Sequence, residues 1–441
     1  MSKNFVNFHI LMSHSPSCLN RDDMGMQKTA IFGGTRRVRI SSQSLKRAIR
    51  TSAYYEAQFG KPSERTKQLT LLRDKYRESL KDKFPEAVID TVLMAVAGVK
   101  EIKELEEKVK KGQGNDIDRV KQEGTESGAV AAWSVYEIEK YCELYIQLQA
   151  EHSDDKAFQK AWDKETKKDS FKRFNEAFQN SVDIALSGRM ATSGIMTSVD
   201  AALAVAHVIT THTVDGDLDW FTAVDDLTQE AGETGSAHLD TQEFSAGVFY
   251  RYASLNLTQL QENLGETSRE KSLEIAAHTL HMLATVIPDA KRNSTAADNP
   301  ADFVCVALSD QPISLANAFE EPVKSKSGFL KPSIDQFIKY KERVYQGYEL
   351  DDKVAFFSLH ETGALSGIPQ SSLSKLENWL NKTARRNHAG FFNSQMPRCD
   401  AGLGRAYLRG LSPQPYLSNS QCRARFARCL FRYHPPTARA V

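Results

Sequence analysis

Residues 5–50 read FVNFHILMSHSPSCLNRDDMGMQKTAIFGGTRRVRISSQSLKRAIR, and this stretch contains two strand patterns followed by one helix pattern. The opening FVNFHILM alternates in hydrophobicity, which is the two-residue period of a β-strand with one buried face. That face is formed by Val6, Phe8, Ile10 and Met12. A loop rich in Ser, Pro, Asn and Gly follows, and RRVRI, residues 36–40, is predicted as a second, shorter strand.

The next segment, SSQSLKRAIRTSAYY at residues 41–55, is predicted as a helix that Ser41 or Ser42 caps. Helical spacing places four polar or basic side chains on one side: Gln43, Lys46, Arg47 and Arg50. The free N–H groups of the first turn, together with the serine hydroxyls, suit a phosphate group. The helix therefore suits the backbone of a nucleic acid, and a solvated amphipathic surface helix is the alternative.

The remaining chain changes composition several times. Residues 62–180 are rich in Lys, Glu, Gln and Leu and are predicted as a helical insertion. Residues 181–252 shift to Gly, Thr, Ser, Asp and Val, and the aromatic stretch at 245–257 is predicted as a strand. A helix at 268–286 and a strand at 302–310 follow. This order predicts an α+β fold with an antiparallel sheet that two insertions interrupt.

Charge is distributed unevenly along the chain, although the net charge is only +1. Residues 1–50 carry nine basic and two acidic side chains, whereas no Lys or Arg occurs between Arg189 and Arg251. A short basic stretch beside an acidic middle favours a polyanion as partner, and a solvated basic face is the alternative. There is no apolar run long enough for a membrane span, and the six cysteines without a close pair indicate free thiols in a reducing cytoplasm.

The end of the chain differs in composition from everything before it. There is no Glu after Glu377 and no Lys after Lys382, and residues 385–441 contain ten arginines and half of the cysteines. A disordered tail of ordinary composition would be rich in Lys, Glu and Ser. We therefore predict that residues 385–441 are an aberrant, disordered segment translated in the wrong reading frame. A genuine basic tail that binds nucleic acid is one alternative, and a tail that blocks assembly is another.

The stretch from His9 to Arg50 closely resembles the CasC family, whose members form the repeated backbone subunit of the Cascade complex in subtype I-E CRISPR systems. Four further segments resemble the same family: SVDIALSGRMATSGIM at 181–196, ITTHTVDGDLDWFTAVDDL at 209–227, GSAHLDTQEFSAGVFYRYA at 235–253 and NPADFVCVALSD at 299–310. The resemblance covers roughly residues 1–384.

The resemblance implies a hand-like fold, in which an RRM-like (ferredoxin-like) palm with an antiparallel sheet carries a helical finger and a β-rich thumb. It assigns residues 1–60, 182–195 and 244–384 to the palm, 61–181 to the finger and 196–243 to the thumb. Copies of such a subunit polymerise along a CRISPR guide RNA (crRNA), associate with other Cascade subunits and present the RNA for pairing with target DNA. The resemblance implies a cytoplasmic, non-catalytic protein without a membrane partner, a metal or another cofactor.

The same resemblance assigns contacts with nucleic acid to particular residues. Those that contact guide RNA are Arg21, Lys28, Ser41, Ser42, Gln43, Lys46, Arg47, Arg50, Arg189, Met190 and Lys291. Those of the finger that contact duplex DNA are Lys108, Lys110 and Lys111, in the region where the sequence departs most from the family. The RNA-stacking motif K/R-G-F/Y-G/A-F-V-x-F/Y of RRM folds is absent, which favours contacts with the RNA backbone over reading of its bases.

A metal-dependent ribonuclease that acts on RNA in the same groove is the alternative function. The side chains that suit a metal are His207, His212, Asp215, Asp217 and Asp219. The same Asp-x-Asp-x-Asp spacing is also common in a glycine-containing turn, and His207 within VAHVI is predicted to lie in the apolar core. Neither G-x-G-x-x-G nor G-x-x-x-x-G-K-[ST] occurs, so the sequence does not support nucleotide hydrolysis.

Overall fold

A computed structural model describes residues 3–97, 130–167, 180–190, 195–196, 198–224, 236–288 and 290–392. Its strands are β1 (Phe5–Ser17), β2 (Thr29–Phe32), β3 (Thr35–Ile40), β4 (Glu64–Thr66), β5 (Ala131–Trp133), β6 (Leu203–Val205), β7 (Val208–Thr210), β8 (Asp217–Val224), β9 (Ser236–Asn256), β10 (Phe303–Ser309), β11 (Lys353–Ser358) and β12 (Ile368–Gln370).

The helices connect and cover these strands. They are α1 (Ser42–Arg50), α2 (Ala53–Phe59), α3 (Leu69–Leu80), α4 (Glu86–Ala97), α5 (Val135–Glu151), α6 (Asp155–Lys167), α7 (Val182–Ser187), α8 (Leu257–Asn263), α9 (Arg269–Thr285), α10 (Arg292–Thr295), α11 (Leu330–Gly347) and α12 (Leu373–Phe392). A short 3-10 helix covers Ala316–Phe319.

The main sheet has the strand order β12-β11-β10-β1-β9-β7-β3-β2, and β6 and β8 also pair with β9. Its central part, β10-β1-β9-β7, is antiparallel throughout. Because α1 lies between β1 and β7 in the chain and α9 lies between β9 and β10, these elements follow the β-α-β-β-α-β order of a ferredoxin-like fold. The predicted α+β class with an antiparallel sheet is confirmed.

The central strand β1 is buried on both of its faces. The predicted apolar face packs into the core formed with α8 and α9, and the opposite face packs against α11. Polar groups on the second face are satisfied, since His9 Nδ1 lies 2.8 Å from the Tyr250 hydroxyl and Asn7 Oδ1 accepts from the Tyr252 hydroxyl at 3.0 Å. Alternation therefore predicted the strand correctly, but it did not predict that the second face is also covered.

Residues 64–97 and 130–167 contribute most of a second core, which is helical as their composition predicts. The helices α3, α4, α5 and α6 pack around Trp133 and Tyr141, and β4 pairs with β5 in a small separate sheet. Ile184 of α7 joins the same cluster, so α7 contributes to this core as well. The lysines predicted to contact DNA, Lys108, Lys110 and Lys111, lie outside the described residues.

The longest described strand, β9, has 21 residues and pairs with different strands along its length. Its first half pairs with β8 in a two-stranded ribbon, and its second half pairs with β1. Leu218 and Trp220 are exposed on the ribbon. The short strands β6 and β7 fall inside the range 196–243 assigned to the thumb, yet they pair with β9 in the main sheet.

The structure also bears on three compositional predictions. The helix α12 continues through Phe392, so residues 385–392 of the predicted disordered tail are helical, as the good helix propensity of Ala and Arg allows. Residues 393–441 lie outside the described part. None of the described helices is long and apolar enough to cross a bilayer. The described cysteines are free thiols, as the sequence predicts, and all of them are buried: Cys18, Cys142 and Cys305.

Candidate nucleic-acid interface

The helix α1 begins where the sequence predicts but ends earlier. Ser41 is its N-cap, and the Ser41 hydroxyl accepts the N–H of Ser44 at 3.3 Å. The helix stops at Arg50, and Ser52 then caps α2 by accepting the N–H of Tyr55 at 3.1 Å. The predicted single helix over 41–55 is therefore two helices, because a second serine cap inside this segment begins a new helix.

One side of α1 is part of the core and the other side carries cations. Leu45 and Ile49 are buried in the main core, while Gln43 and Arg47 are exposed. The predicted helical spacing of the polar residues is thus confirmed as a surface stripe. The stripe is continuous with Lys46, which lies half-buried at its edge.

Lys46 and Arg50 are each fixed by a hydrogen bond to a backbone carbonyl. Lys46 Nζ donates to the carbonyl of Leu203 in β6 at 3.0 Å, and Arg50 Nη1 donates to the carbonyl of Ser63 at 2.7 Å. Burial lowers the pKa of both side chains, and the positive charge of nearby Arg65 lowers it further. Cations that repel one another in this way favour a polyanionic ligand, because a bound phosphate relieves the repulsion.

Arg65 is a candidate that the sequence patterns missed. Its side chain is exposed on β4, beside Arg50 and Lys46. The position of this strand is fixed by Asp183 of α7, which accepts hydrogen bonds from both the N–H and the hydroxyl of Ser63. Since a turn and a second helix separate β4 from α1, no helical spacing in the sequence connects Arg65 with the basic stripe.

His207 lies at the N-terminal end of α1 and is exposed, so its predicted place in the apolar core is wrong. It occupies the short link between β6 and β7, where the neighbouring Val208 takes the buried position. Its Nδ1 accepts the N–H of Ser42 at 3.1 Å, and its Nε2 lies 3.5 Å from Nη1 of Arg39. With Ser44 bonded to Ser41, two of the first-turn N–H groups predicted to be free for phosphate are already satisfied.

The loop before β2 is folded by its own polar groups. Asp22 Oδ1 accepts the N–H groups of Met24 and Met26, at 3.0 and 2.9 Å, which gives Asp22 a structural role. Arg21 is exposed on this loop, and Lys28 is partly exposed. The N–H of Lys28 donates to the carbonyl of Asn20, and the carbonyl of Lys28 accepts the N–H of Arg39.

Lys291 lies on a different segment but in the same neighbourhood as Arg21. Burial raises the pKa of the Cys18 thiol, and the charges of Arg21 and Lys291 both oppose this rise. Lys291 is the residue directly before α10 and adopts a left-handed conformation, with a φ of 53°. These two cations therefore form a second basic group, around Cys18.

Arg189 and Met190 are adjacent in sequence but differ completely in exposure. Arg189 forms a bidentate ion pair with Glu137, at 2.5 and 2.9 Å, and the two side chains are only 1% and 3% exposed. Met190 is 79% exposed. The predicted RNA contact therefore suits Met190, whereas the guanidinium of Arg189 is bonded within the protein, because the buried carboxylate of α5 needs a partner.

The residues proposed for a metal site do not come together. His212 is buried, stacks on Phe329 at 3.8 Å between ring centres, and accepts the N–H of Val248 at 3.2 Å. His207 is instead at the end of α1, while Asp215, Asp217 and Asp219 are exposed at the start of the ribbon. Within the described ranges, no three His, Cys, Asp or Glu side chains are placed to hold one ion.

The fold and the surface together define a ferredoxin-like α+β protein with a cationic helix packed on one face of its sheet. The profile of the CT1975-like protein family matches residues 6–385, and the chain belongs to this family. The resemblance to the CasC family is thereby confirmed.

Solved structures agree with the family assignment. A chain from a "CRISPR RNA-guided surveillance complex, pre-nicking" is 29% identical, with a TM-score of 0.66 over 86% of this chain and 100% of that chain. A chain from a "CRISPR RNA-guided surveillance complex" has 24% identity and a TM-score of 0.53 over 86% of this chain and 99% of that chain, and it supports the fold alone. Comparison with curated protein sequences gives no match.

Proposed function

We propose that this protein is a non-catalytic subunit of an RNA-guided surveillance complex and that it binds the guide RNA along α1. The observation that supports this most is the group of cations around that helix: Lys46, Arg47, Arg50 and Arg65. Two of them are held by backbone hydrogen bonds, so the group is preorganised. Such a surface binds phosphates and accepts any base sequence, as a guide-binding subunit requires.

The contacts within α1 divide the predicted RNA-binding residues into two kinds. Arg47 and Gln43 are exposed and suit direct contact with RNA, whereas Lys46 and Arg50 also support the local structure. A change at Lys46 or Arg50 therefore alters binding and packing together. Arg47 is the better position for a test, because its exposed side chain can be changed without breaking a backbone hydrogen bond of this kind.

The test compares Arg47→Gln with Lys324→Gln, which removes the same charge from an 82% exposed lysine elsewhere. Affinity is measured against guide RNAs of several sequences over a range of salt concentrations. Arg47→Gln weakens binding equally for every sequence and reduces the salt slope by about 0.7, the value for one phosphate contact on a single strand. If the two variants bind RNA equally well, or if the loss depends on sequence, the proposed contact is wrong.

Further copies of the chain assemble along one guide RNA, which the complex then presents to target DNA. The number of bound copies, measured by the mass of complexes on guides of increasing length, therefore rises in steps. The RNA remains intact when manganese is added, because the protein holds the guide and does not cut it. A single copy on every length would contradict assembly, and cleavage that Asp215→Ala abolishes would contradict the non-catalytic role.

A further inference from the structure

The contact between His207 and Arg39 has an unusual hydrogen-bonding arrangement. His207 Nδ1 lies 3.1 Å from the backbone N of Ser42, and a backbone N–H can only donate. Nδ1 must therefore carry the lone pair, so Nε2 carries the proton of the neutral ring. Burial and the positive charge of Arg39 both lower the pKa of His207, which favours the neutral ring.

Arg39 faces the protonated nitrogen. Its Nη1 lies 3.5 Å from Nε2 of His207, and a guanidinium has donors but no acceptor. Two N–H donors thus point into the same space, and neither can bond the other. The opposite tautomer would place an N–H against the N–H of Ser42, and a doubly protonated ring would place donors at both ends, so neither state removes the conflict.

We propose that Arg39 and His207 form a binding site for one phosphate oxygen of the guide RNA, an acceptor that both donors share. The site rests on the proposed guide-binding function and extends it beyond the stripe on α1. His207 is exposed and Arg39 is partly exposed, so the space between them is open to a ligand. An anionic oxygen accepts several hydrogen bonds at once and compensates the charge of Arg39.

The location suits a continuous RNA backbone. Ser42, which holds His207, and Lys46 are one helical turn apart, about 6 Å along the axis of α1. A chain of phosphates that contacts Lys46 and Arg47 therefore reaches Arg39 and His207 without leaving the protein surface. Within the described residues, no carboxylate forms an ion pair with Arg39 or with His207 that would take the place of the phosphate.

Two substitutions of His207 separate its two ring nitrogens. His207→Asn keeps an acceptor near the position of Nδ1 for the N–H of Ser42 but provides no donor at Nε2. His207→Gln reaches the position of Nε2 with an amide N–H. We expect His207→Asn to weaken RNA binding roughly tenfold, the scale of one charge-assisted hydrogen bond, while His207→Gln stays close to the wild type.

Arg39→Gln is compared with Arg36→Gln, which removes an exposed arginine from the same strand. Arg39→Gln should reduce the salt slope by about 0.7 and Arg36→Gln should leave it unchanged. A loss of affinity without a change in slope would overturn the phosphate assignment, and so would equal affinity of the Asn and Gln variants of His207. Nitrogen-15 spectra of the histidine ring in the full-length protein give a check that needs no RNA, because a proton on Nδ1 would also overturn it.

Failure of this inference can be distinguished from failure of the proposed function. If the wild-type protein does not bind guide RNA, the function itself is wrong. If the wild type binds and Arg47→Gln weakens binding, but the Arg39 and His207 variants do not, only the additional phosphate site is wrong.

Discussion

The arginines buried in the sheet and the cations on α1 have the same chemistry in opposite surroundings. Arg37 is fully buried, and its guanidinium donates to the hydroxyl of Thr35 and to the carbonyls of Thr210, Phe319 and Glu320 at 2.9 to 3.3 Å. Arg47 lies on the surface of α1. The first has its donors occupied by the protein, whereas the second presents its donors to solvent and therefore to a ligand.

Arg251 and Arg189 are also buried and bonded within the protein, although Nε and Nη2 of Arg251 have no hydrogen-bond partner among the described residues. Arg251 is fully buried and donates to the carbonyls of Leu283 and Val286, at 2.9 and 2.8 Å, at the C-terminal end of α9. That end of a helix is negative, so a cation there is favourable even though burial lowers the pKa of Arg251 to about 10. Arg189 instead pairs with a carboxylate. An arginine thus binds the protein or a ligand according to which acceptors surround it, and not according to its position in a basic sequence.

The strongest test of this contrast is Arg189→Met, which leaves the carboxylate of Glu137 buried without its partner. Loss of one member of a buried ion pair costs roughly 3–5 kcal/mol, and we expect a decrease of that size in the free energy of unfolding. Chemical denaturation measures it. The double variant with Glu137→Leu should recover most of the loss, and a cost for Arg189→Met alone below about 1 kcal/mol would mean that the pair is exposed to water.

The next largest effect is expected for Arg37→Met. This change keeps the apolar stem but leaves buried carbonyls of Thr210 and Phe319 without donors, and each such group costs about 1–3 kcal/mol. Thermal unfolding of Arg37→Met and of Arg36→Met, its exposed neighbour, gives a matched comparison. Equal melting temperatures would show that the buried hydrogen bonds of Arg37 contribute nothing.

Two buried histidines, His9 and His14, are expected to make the stability of the fold depend on pH. Burial, assisted by Lys341 for His9 and by Arg251 for His14, lowers the pKa of each histidine to about 3. Between pH ~6.5 and pH ~3 these histidines are protonated in the unfolded chain but stay neutral in the folded protein. The free energy of unfolding is therefore highest above pH ~6.5 and falls as the pH is lowered towards ~3. The decrease is at most ~1.4 kcal/mol per pH unit for each histidine.

The variant His14→Phe tests this expectation, because it retains an aromatic ring against Phe249 and removes one of the two titrations. Its free energy of unfolding should fall less steeply between pH 6.5 and 5 than that of the wild type, in denaturation experiments at fixed salt. If the free energy of unfolding depends on pH equally in the two proteins, His14 does not contribute to the pH dependence.

The smallest effect on stability is expected on α1. Arg47→Gln changes an exposed side chain, so the free energy of unfolding should change by no more than about 0.5 kcal/mol even though RNA binding weakens. The same denaturation experiment measures it. A large destabilisation would show that Arg47, like Arg37, forms interactions that the fold needs, and the contrast between the two arginines would be wrong.

The sequence predicted those features that depend on neighbouring residues. Alternation identified β1, and a serine before a helical pattern identified the cap of α1, because both signals lie within a few positions. The break between α1 and α2 was missed, although Ser52 offers a second cap that the sequence displays. The order of the predicted strands and helices indicated the α+β class, and the family resemblance added the ferredoxin-like arrangement of the palm.

Features that depend on distant residues could not be predicted in this way. Arg65 reaches the basic stripe only because Asp183 holds Ser63 in place, and Arg189 is buried only because Glu137 faces it. His207 shows the same limit, since its exposure depends on the position of α1 relative to β6 and β7. Charge and spacing in a sequence identify cations, but tertiary partners decide which of them remain available.

The length of β9 has a consequence for variation in this chain. Side chains of a strand alternate between two faces, and β9 pairs with β8 in its first half and with β1 in its second. Insertion of one residue between Thr241 and Tyr250 would exchange the faces of the ribbon relative to the sheet, whereas insertion of two residues would restore them. Insertions between Thr241 and Tyr250 are therefore expected in even numbers, because an odd number would require a β-bulge to keep both pairings.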